Sequence, residues 1–338
     1  MKSRRAEIKA LYEGTDISAD VSTFLKSFSF TDVLSGEADS ASITLHDLPE
    51  LWIGDWMPDR GAMMELSISL SDWSAQNDAQ EMPLGKFEID EIENSMPPRE
   101  AKIKLVSIPG NANIRAVEKS RSWEKARLSK IVKDVADGAG MEYFYDTKED
   151  PLLERAEQSE ETDLQFLMKL AKDAGLALKI TDDKIVIFNE ADYEAKAAVR
   201  AFTKGESTII SFSARATIRN IYKACHVKYQ HQEKDEFIEY TFAAPGKKEG
   251  QTLEVNEKVQ TLEEAEKLAK KKLREKNRDE VTVSLSVPGN FALCAGNTVT
   301  LSGFRFYDGK YIIVRAAHDI GTGGYGTKVE LRRCLDGY

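Results

Sequence analysis

Met64-Glu65-Leu66-Ser67-Ile68-Ser69-Leu70 alternates apolar and polar residues without a break. Successive side chains of an extended strand point to opposite faces, so this period of two describes a strand with one face buried and one face wet. The pattern recurs upstream, at Phe24-Leu25-Lys26-Ser27-Phe28-Ser29-Phe30 and at Ala41-Ser42-Ile43-Thr44-Leu45. Downstream, the run Phe87-Glu88-Ile89-Asp90-Glu91-Ile92 and the run Ala101 to Ile108 flank the turn residues Asn94-Ser95-Met96-Pro97-Pro98. Two alternating runs around such a turn predict a hairpin with a long loop. Pro109-Gly110 closes the region, and residues 1–112 read as an all-β, barrel-like domain.

The period then changes. Leu128, Ile131, Val132, Val135 and Ala136 share one helical face, and Gly138 and Gly140 are placed to stop that helix. Thr162-Asp163-Leu164-Gln165 is a capping box, in which the Thr hydroxyl accepts from a helix amide and the Gln reaches back. The helix it opens carries Leu164, Leu167, Met168 and Ala171 on one side, and Gly175 stands where a left-handed terminator belongs. Leu176 to Ile180, the turn Thr181-Asp182-Asp183 and Lys184 to Phe188 form a small hairpin. Residues 113–198 are thus an α+β insert.

Strand patterns resume at Ile209-Ile210-Ser211-Phe212 and at Ala224 to Tyr229. Thr261-Leu262-Glu263-Glu264 reads as a second capping box, opening a helix at about 261–277 with Ala265, Leu268, Ala269 and Leu273 inward. Val281 to Val287, Asn297 to Leu301, Lys310 to Ala316 and Thr327 to Arg332 return to strands. Residues 199–338 therefore read as a second barrel-like domain with an embedded helix. The fold class is mainly β with an α+β insert: two barrel-like domains flank a helix-containing one.

A chain of 338 residues, 41% hydrophobic and 31% charged, has room for two or three cores. It contains no apolar run as long as a membrane span, and its polar start, Met1-Lys2-Ser3-Arg4-Arg5, lacks the pattern of a signal peptide, so synthesis and retention in a cytoplasm are expected. Cys225, Cys294 and Cys334 are few, odd in number and far apart, which argues against a disulfide framework or a zinc site; each is read as an apolar filler in a strand. The net charge of −10 opposes specific nucleic-acid binding, because phosphate neutralisation by Lys and Arg dominates such affinity.

The search for chemistry finds little. His46 and His318 end strand-like runs, His226 lies within one and His231 sits in a polar turn; none has metal-ligand spacing or a nucleophile nearby. Gly321-Thr322-Gly323-Gly324-Tyr325-Gly326 precedes an alternating strand and no helix, so it reads as a hairpin loop and not as a dinucleotide site. Carboxylate clusters at Glu88 to Glu91 and Glu160 to Asp163 reflect an acidic composition, and the cations Lys270-Lys271-Lys272 are offset by Glu263, Glu264, Glu266 and Glu275. No catalytic, cofactor-binding or metal-binding residue is expected.

Two stretches resemble a known family. Gln158 to Gly175, with the hairpin that follows, resembles the "Q-x-x-E-T-D-x-x-F-L-x-x-L-A-x-x-x-G" segment of phage baseplate hub ("late control gene D") proteins and of type VI secretion spike proteins. Gly303-Phe304-Arg305-Phe306-Tyr307-Asp308-Gly309-Lys310-Tyr311-Ile312, continuing through His318, Gly323-Gly324-Tyr325 and Glu330-Leu331-Arg332-Arg333, is similar to the family's closing strands. Gly85 to Asp90 fits its first domain. The resemblance implies a non-enzymatic structural subunit without cofactor. It implies a homotrimer whose two tube-like domains per chain build a pseudo-sixfold ring, joining a tail tube protein to a central spike protein beside other baseplate proteins. The implied place is the tail baseplate of a virion or phage-tail-like particle, assembled in the bacterial host cytoplasm. DNA would pass the lumen without being gripped, and Lys270 to Lys272 would face away from the bore. No lysozyme-like domain or spike repeat is recognisable. The alternatives are a peptidoglycan hydrolase and a glycan-binding tail module, the latter with Trp52, Trp56 and Trp73 as candidate contacts.

Overall fold

The computed structural model describes residues 4–73, 75–107, 114–181, 184–231 and 236–338. The chain forms two compact units: 1–190 with 286–295 and 314–329, and 191–285 with 296–313 and 330–338.

The first unit begins with β1 (Arg5–Tyr12), β2 (Thr15–Asp16), α1 (Ser18–Phe24), β3 (Leu25–Val33), β4 (Ser40–His46), β5 (Met63–Ser71), β6 (Ala79–Ser95) and β7 (Glu100–Val106). These strands are antiparallel in the order β3-β4-β7-β6-β5-β1-β2. The alternation works as expected: Met64, Leu66, Ile68 and Leu70 are buried while Glu65 is exposed. Their face joins Ile8, Phe28, Phe30, Ile43, Phe87 and Ile103 in one apolar core. A bulge in β6 opposite Leu66 and Ser67 is made at Gly85, whose φ of 98° suits a residue without a Cβ. The edge at β1 is covered by α1. Ser18 Oγ accepts from the Ala10 amide (2.9 Å), Ile17 donates to the Ala10 carbonyl (3.0 Å) and Val21 is buried, so the edge does not offer a free ladder.

The insert holds β8 (Glu118–Arg127), α2 (Leu128–Ala139), β9 (Glu142–Asp146), β10 (Leu152–Thr162), α3 (Asp163–Ala174), β11 (Ala177–Thr181) and β12 (Lys184–Phe188). Its core is separate and comprises the inward faces of both helices with Leu178, Ile180, Ile185 and Ile187. The capping box at Thr162 is present in full: its hydroxyl accepts from the Gln165 amide (3.3 Å), and Gln165 Oε1 accepts from the Thr162 amide (3.1 Å). Gly175 (φ 77°) terminates α3 in the left-handed conformation. Gly140 (φ 68°) does the same for α2, whereas Gly138 lies inside the helix and does not stop it. The antiparallel pair β8–β10 and β9, which adds parallel to β12, carry no clear strand pattern in the sequence. Ile108, Pro109-Gly110, Asp182 and Asp183 lie outside the described residues.

The second unit contains α4 (Glu190–Ala195), whose first residue belongs to the first unit, then β13 (Arg200–Thr203), β14 (Ser211–Ala216), β15 (Tyr222–His231), β16 (Glu236–Ala243), β17 (Gln251–Val255) and α5 (Leu262–Asn277). β18 (Val281–Pro288), β20 (Gly309–Gly321) and β21 (Gly324–Arg333) have residues in both units; β19 (Thr298–Ser302) lies in the second. β15 sits between β16 and β17, and Ala265, Ala269 and Leu273 of α5 pack with its Cys225 and Val227. Three local readings need correction. Ile209 and Ile210 precede the strand, which starts at Ser211. His231 is the last residue of β15 and not part of a turn; its side chain is outside the described part. At α5, Thr261 accepts from the Glu264 amide (3.1 Å), but Glu264 bonds the Gln260 amide (2.7 Å) instead of closing the box on Thr261. Asn277, fully buried at the end of α5, donates to the Tyr222 carbonyl (2.8 Å) and accepts from its amide (2.9 Å).

Thr162→Ala should lower stability by about 1 kcal/mol, the usual loss for an N-cap hydroxyl. A thermal melt unchanged from wild type would show that this cap does not hold the insert.

Candidate functional site

The first family-like stretch begins on β10 and runs through α3. Gln158 and Asp163 are both buried. Asp163 receives Lys119 Nζ (2.6 Å), Arg121 and Gln158 Nε2 (2.9 Å). Gln158 also accepts from Arg121 Nε (2.8 Å) and donates to the Glu161 carbonyl (2.9 Å). A register shift between Gln158 and Glu161, with Glu160 at φ 49°, turns both side chains toward this network. Beside it, Trp123 stacks on buried Phe166 at 5.2 Å and 14°, and Arg121 lies over Trp123. The Gln and Asp of the motif therefore fix the polar β8–β10 strand pair against a helix. Sequence reading identified the cap and missed the network, whose basic members lie some forty positions upstream.

The closing stretch is read within each unit. In the second, Asp308 accepts from the Phe304 amide (2.6 Å), buried Tyr311 donates to the Tyr307 carbonyl (2.8 Å), and Phe212 stacks on Phe304 at 4.4 Å. In the first, His318 is fully buried in the middle of β20 and does not end a strand. Its Nε2 faces the Leu293 carbonyl (3.2 Å), which can only accept, so Nε2 carries the proton and Nδ1 accepts from the Tyr325 hydroxyl (2.7 Å). Burial lowers the His318 pKa, in keeping with this neutral form. Tyr325 reaches its place because Gly289 leaves room: a Cβ there would lie 1.9 Å from the tyrosine ring. Trp73 donates to the Gly289 carbonyl (3.0 Å) and packs on Tyr325 at 5.4 Å.

The other candidates are in structural roles. Trp52 is buried and Trp73 half-buried; Trp56, 41% exposed, packs edge-on against Phe24 (6.0 Å) and Trp52 (5.7 Å). His226 faces Thr241 (2.8 Å), and His46 closes β4. No group of three or more metal-ligating side chains occurs among the described residues. The three thiols are free; Cys294, in the irregular segment between β18 and β19, and Cys334, just past the end of β21, are not in strands, and Cys294 donates to the Phe291 carbonyl (3.2 Å). Asp90 pairs with Arg115 (3.2 Å), Glu91 with Lys104 (2.8 Å) and Glu161 with Lys169 (2.5 Å). Lys270 pairs with Glu266 (2.8 Å) and Lys272 with Glu257 (2.6 Å), as expected of a solvated helix face. The glycines at 321–326 surround a hairpin turn between β20 and β21. No helix of the described residues is long and apolar enough to cross a membrane.

This strand-rich architecture is that of phage tail proteins. A tail protein from Neisseria meningitidis MC58 aligns with 97% of this chain and 97% of its own length, at 15% identity and a TM-score of 0.73. The 43 kDa tail protein of prophage MuSo2 from Shewanella oneidensis aligns over 98% of this chain and all of its own, at 13% identity and a TM-score of 0.75. An Escherichia coli component of the type VI secretion system, itself described as structurally similar to T4 tail proteins, matches 93% of this chain and 75% of its own at 12% identity and a TM-score of 0.55. Likenesses at such identities establish the fold. No curated protein sequence matches the chain. The sequence family of the phage tail baseplate hub (GPD) matches residues 109–324, and the chain belongs to that family.

Two substitutions test these clusters. Asp163→Ala strands Lys119 and Arg121; breaking a buried pair costs about 3–5 kcal/mol, and because both cations reach solvent we expect about 2–3 kcal/mol. Gly289→Ala must displace Tyr325, an overpacking change of about 1–3 kcal/mol. Urea denaturation measures both, and a wild-type midpoint in either variant would remove the cluster from the account.

Proposed function

We propose that this baseplate hub protein acts without catalysis, as the ring subunit that joins a tail tube to a central spike. Family membership carries the reading. The placement of the family-like residues supports it: Gln158, Asp163, His318 and Tyr325 are buried and bonded within the chain, where no substrate reaches them. Three copies close a ring in which residues 1–112 and 199–338 serve as two tube-like, barrel-like domains and 113–198 as the insert between them. The hairpin around Gly321 to Gly324 lies in the last segment yet belongs to the same compact unit as the first strands. Six similar domains then match a hexameric tube, and the threefold symmetry matches a trimeric spike. The hub resides in the tail baseplate of a virion or phage-tail-like particle after assembly in the host cytoplasm. With a net charge of −10 the ring does not grip passing DNA.

Light scattering over a range of concentrations, alone and with the cognate spike protein, is expected to give the mass of three chains. A monomer under every condition overturns the ring. Retention of duplex DNA at physiological salt would overturn the non-gripping lumen.

A further inference from the structure

Within the first unit the sheet and the insert have separate apolar cores, and Ala38 of the sheet side packs against the core of the insert. They also meet through a polar cluster. Lys179 of β11 donates to Asp32 of β3, to the Val33 carbonyl (2.9 Å) and to Asp39 (3.2 Å). Asp39, between β3 and β4, also accepts from the Val33 amide (2.9 Å), and Asp32 from the Ala295 amide (2.8 Å). The Gly36 amide reaches the Leu178 carbonyl beside them (3.3 Å). The side chains of Lys179, Asp32 and Asp39 are only 19%, 10% and 6% exposed.

We propose that Asp32, Lys179 and Asp39 form a proton-controlled latch that fastens the insert to the sheet and closes more firmly as the pH falls below neutrality. Two carboxylates and one ammonium leave an uncompensated negative charge in a poorly solvated place, and a single added proton removes it. Burial raises the Asp39 pKa to about 6 against the pull of Lys179, and neighbouring Asp32 adds to the rise. Burial also works against the Lys179 ammonium, but the two carboxylates outweigh it and its pKa is raised.

The sign follows from linkage. With the latch open, Asp39 faces water and returns toward its ordinary value of 3.8, so the closed form binds the proton more tightly. The contribution of Asp39 to closing is full below 3.8 and is lost as the pH rises through about 6. The other titratable groups facing the cluster are His318 of β20, whose pKa burial lowers, and the Cys294 thiol, pushed up to about 11. At its rim Arg315 pairs with Glu37 (2.6 Å) and Glu190 meets Ser35 (3.4 Å). Charging His318 would cost it the bond accepted from Tyr325 while its Nε2 still donates to Leu293, and its lowered pKa gives its titration the opposite sign.

Hydrogen exchange of the Val33 and Gly36 amides in the full chain, corrected for intrinsic rates, tests the latch. Their protection should rise about tenfold from pH 7 to pH 5 in the wild type. In Asp39→Asn it should be high and without that rise. A flat or falling wild-type profile overturns the latch, as does the same rise in Asp39→Asn. If that variant does not fold, a carbon-13 titration of the Asp39 carboxyl decides: a midpoint near 6 sustains the latch and one below 5 overturns it.

Discussion

The first unit depends on one long-range pairing. β20 runs antiparallel to β3, with Arg315 opposite Val33, His318 opposite Phe30 and Gly321 opposite Ser27. These residues come from opposite ends of the chain, and joining them carries the loop-closure entropy of nearly the whole polypeptide. In return the sheet acquires a further strand, and Ile320 and Tyr325 enter the same core as Phe28, Ile43 and Ile68. The imidazole of His318 stacks on Phe30 at 6.1 Å and 27° inside that core. The insert lies between these two strands in the sequence, as do β4 to β7 of the sheet itself. Such non-local pairing is slow to form.

The family-like residues serve the same constraint. A buried polar side chain costs free energy unless its bonds are met, and a met network permits one arrangement of the elements around it. Asp163 with Lys119, Arg121 and Gln158 orients a strand pair too polar to bury a full face. His318 with Tyr325 and the Leu293 carbonyl sets the position of a loop against β20. For a subunit whose task is to present fixed surfaces to neighbours, geometry of this kind is the function.

Strands with a wet and a dry face were legible in the sequence, since alternation at Met64 to Leu70 or Ala101 to Leu105 reports burial directly. The capped start and left-handed end of α3 were equally readable, because Thr162, Gln165 and Gly175 act within their own turn. β8 was not: Glu118 to Arg127 has one tryptophan among charged residues, and charge pairing holds it where apolar periodicity does not. His318 looked like a strand end because its run, Lys310 to Ala316, loses alternation before it, yet β20 continues to Gly321. Lys179, Asp32 and Asp39 stood as three unrelated charges, since their meeting depends on how β11 returns to the sheet.

The two kinds of junction in the molecule divide the physical work between them. Apolar clusters supply stability within the sheet, within the insert and under α5, and they tolerate modest changes of shape. Charged clusters sit where one element must meet another at a single angle: Lys179 between Asp32 and Asp39, Asp163 between α3 and β8, and in the second unit Glu194 against Arg274 (2.7 Å), Arg332 (2.5 Å) and the Leu335 amide (3.0 Å). Desolvation cancels much of what such pairs gain, so they add little net stability, but an alternative packing would leave their charges buried and unmet. If the hub acts as proposed above, that intolerance serves it more than additional stability would.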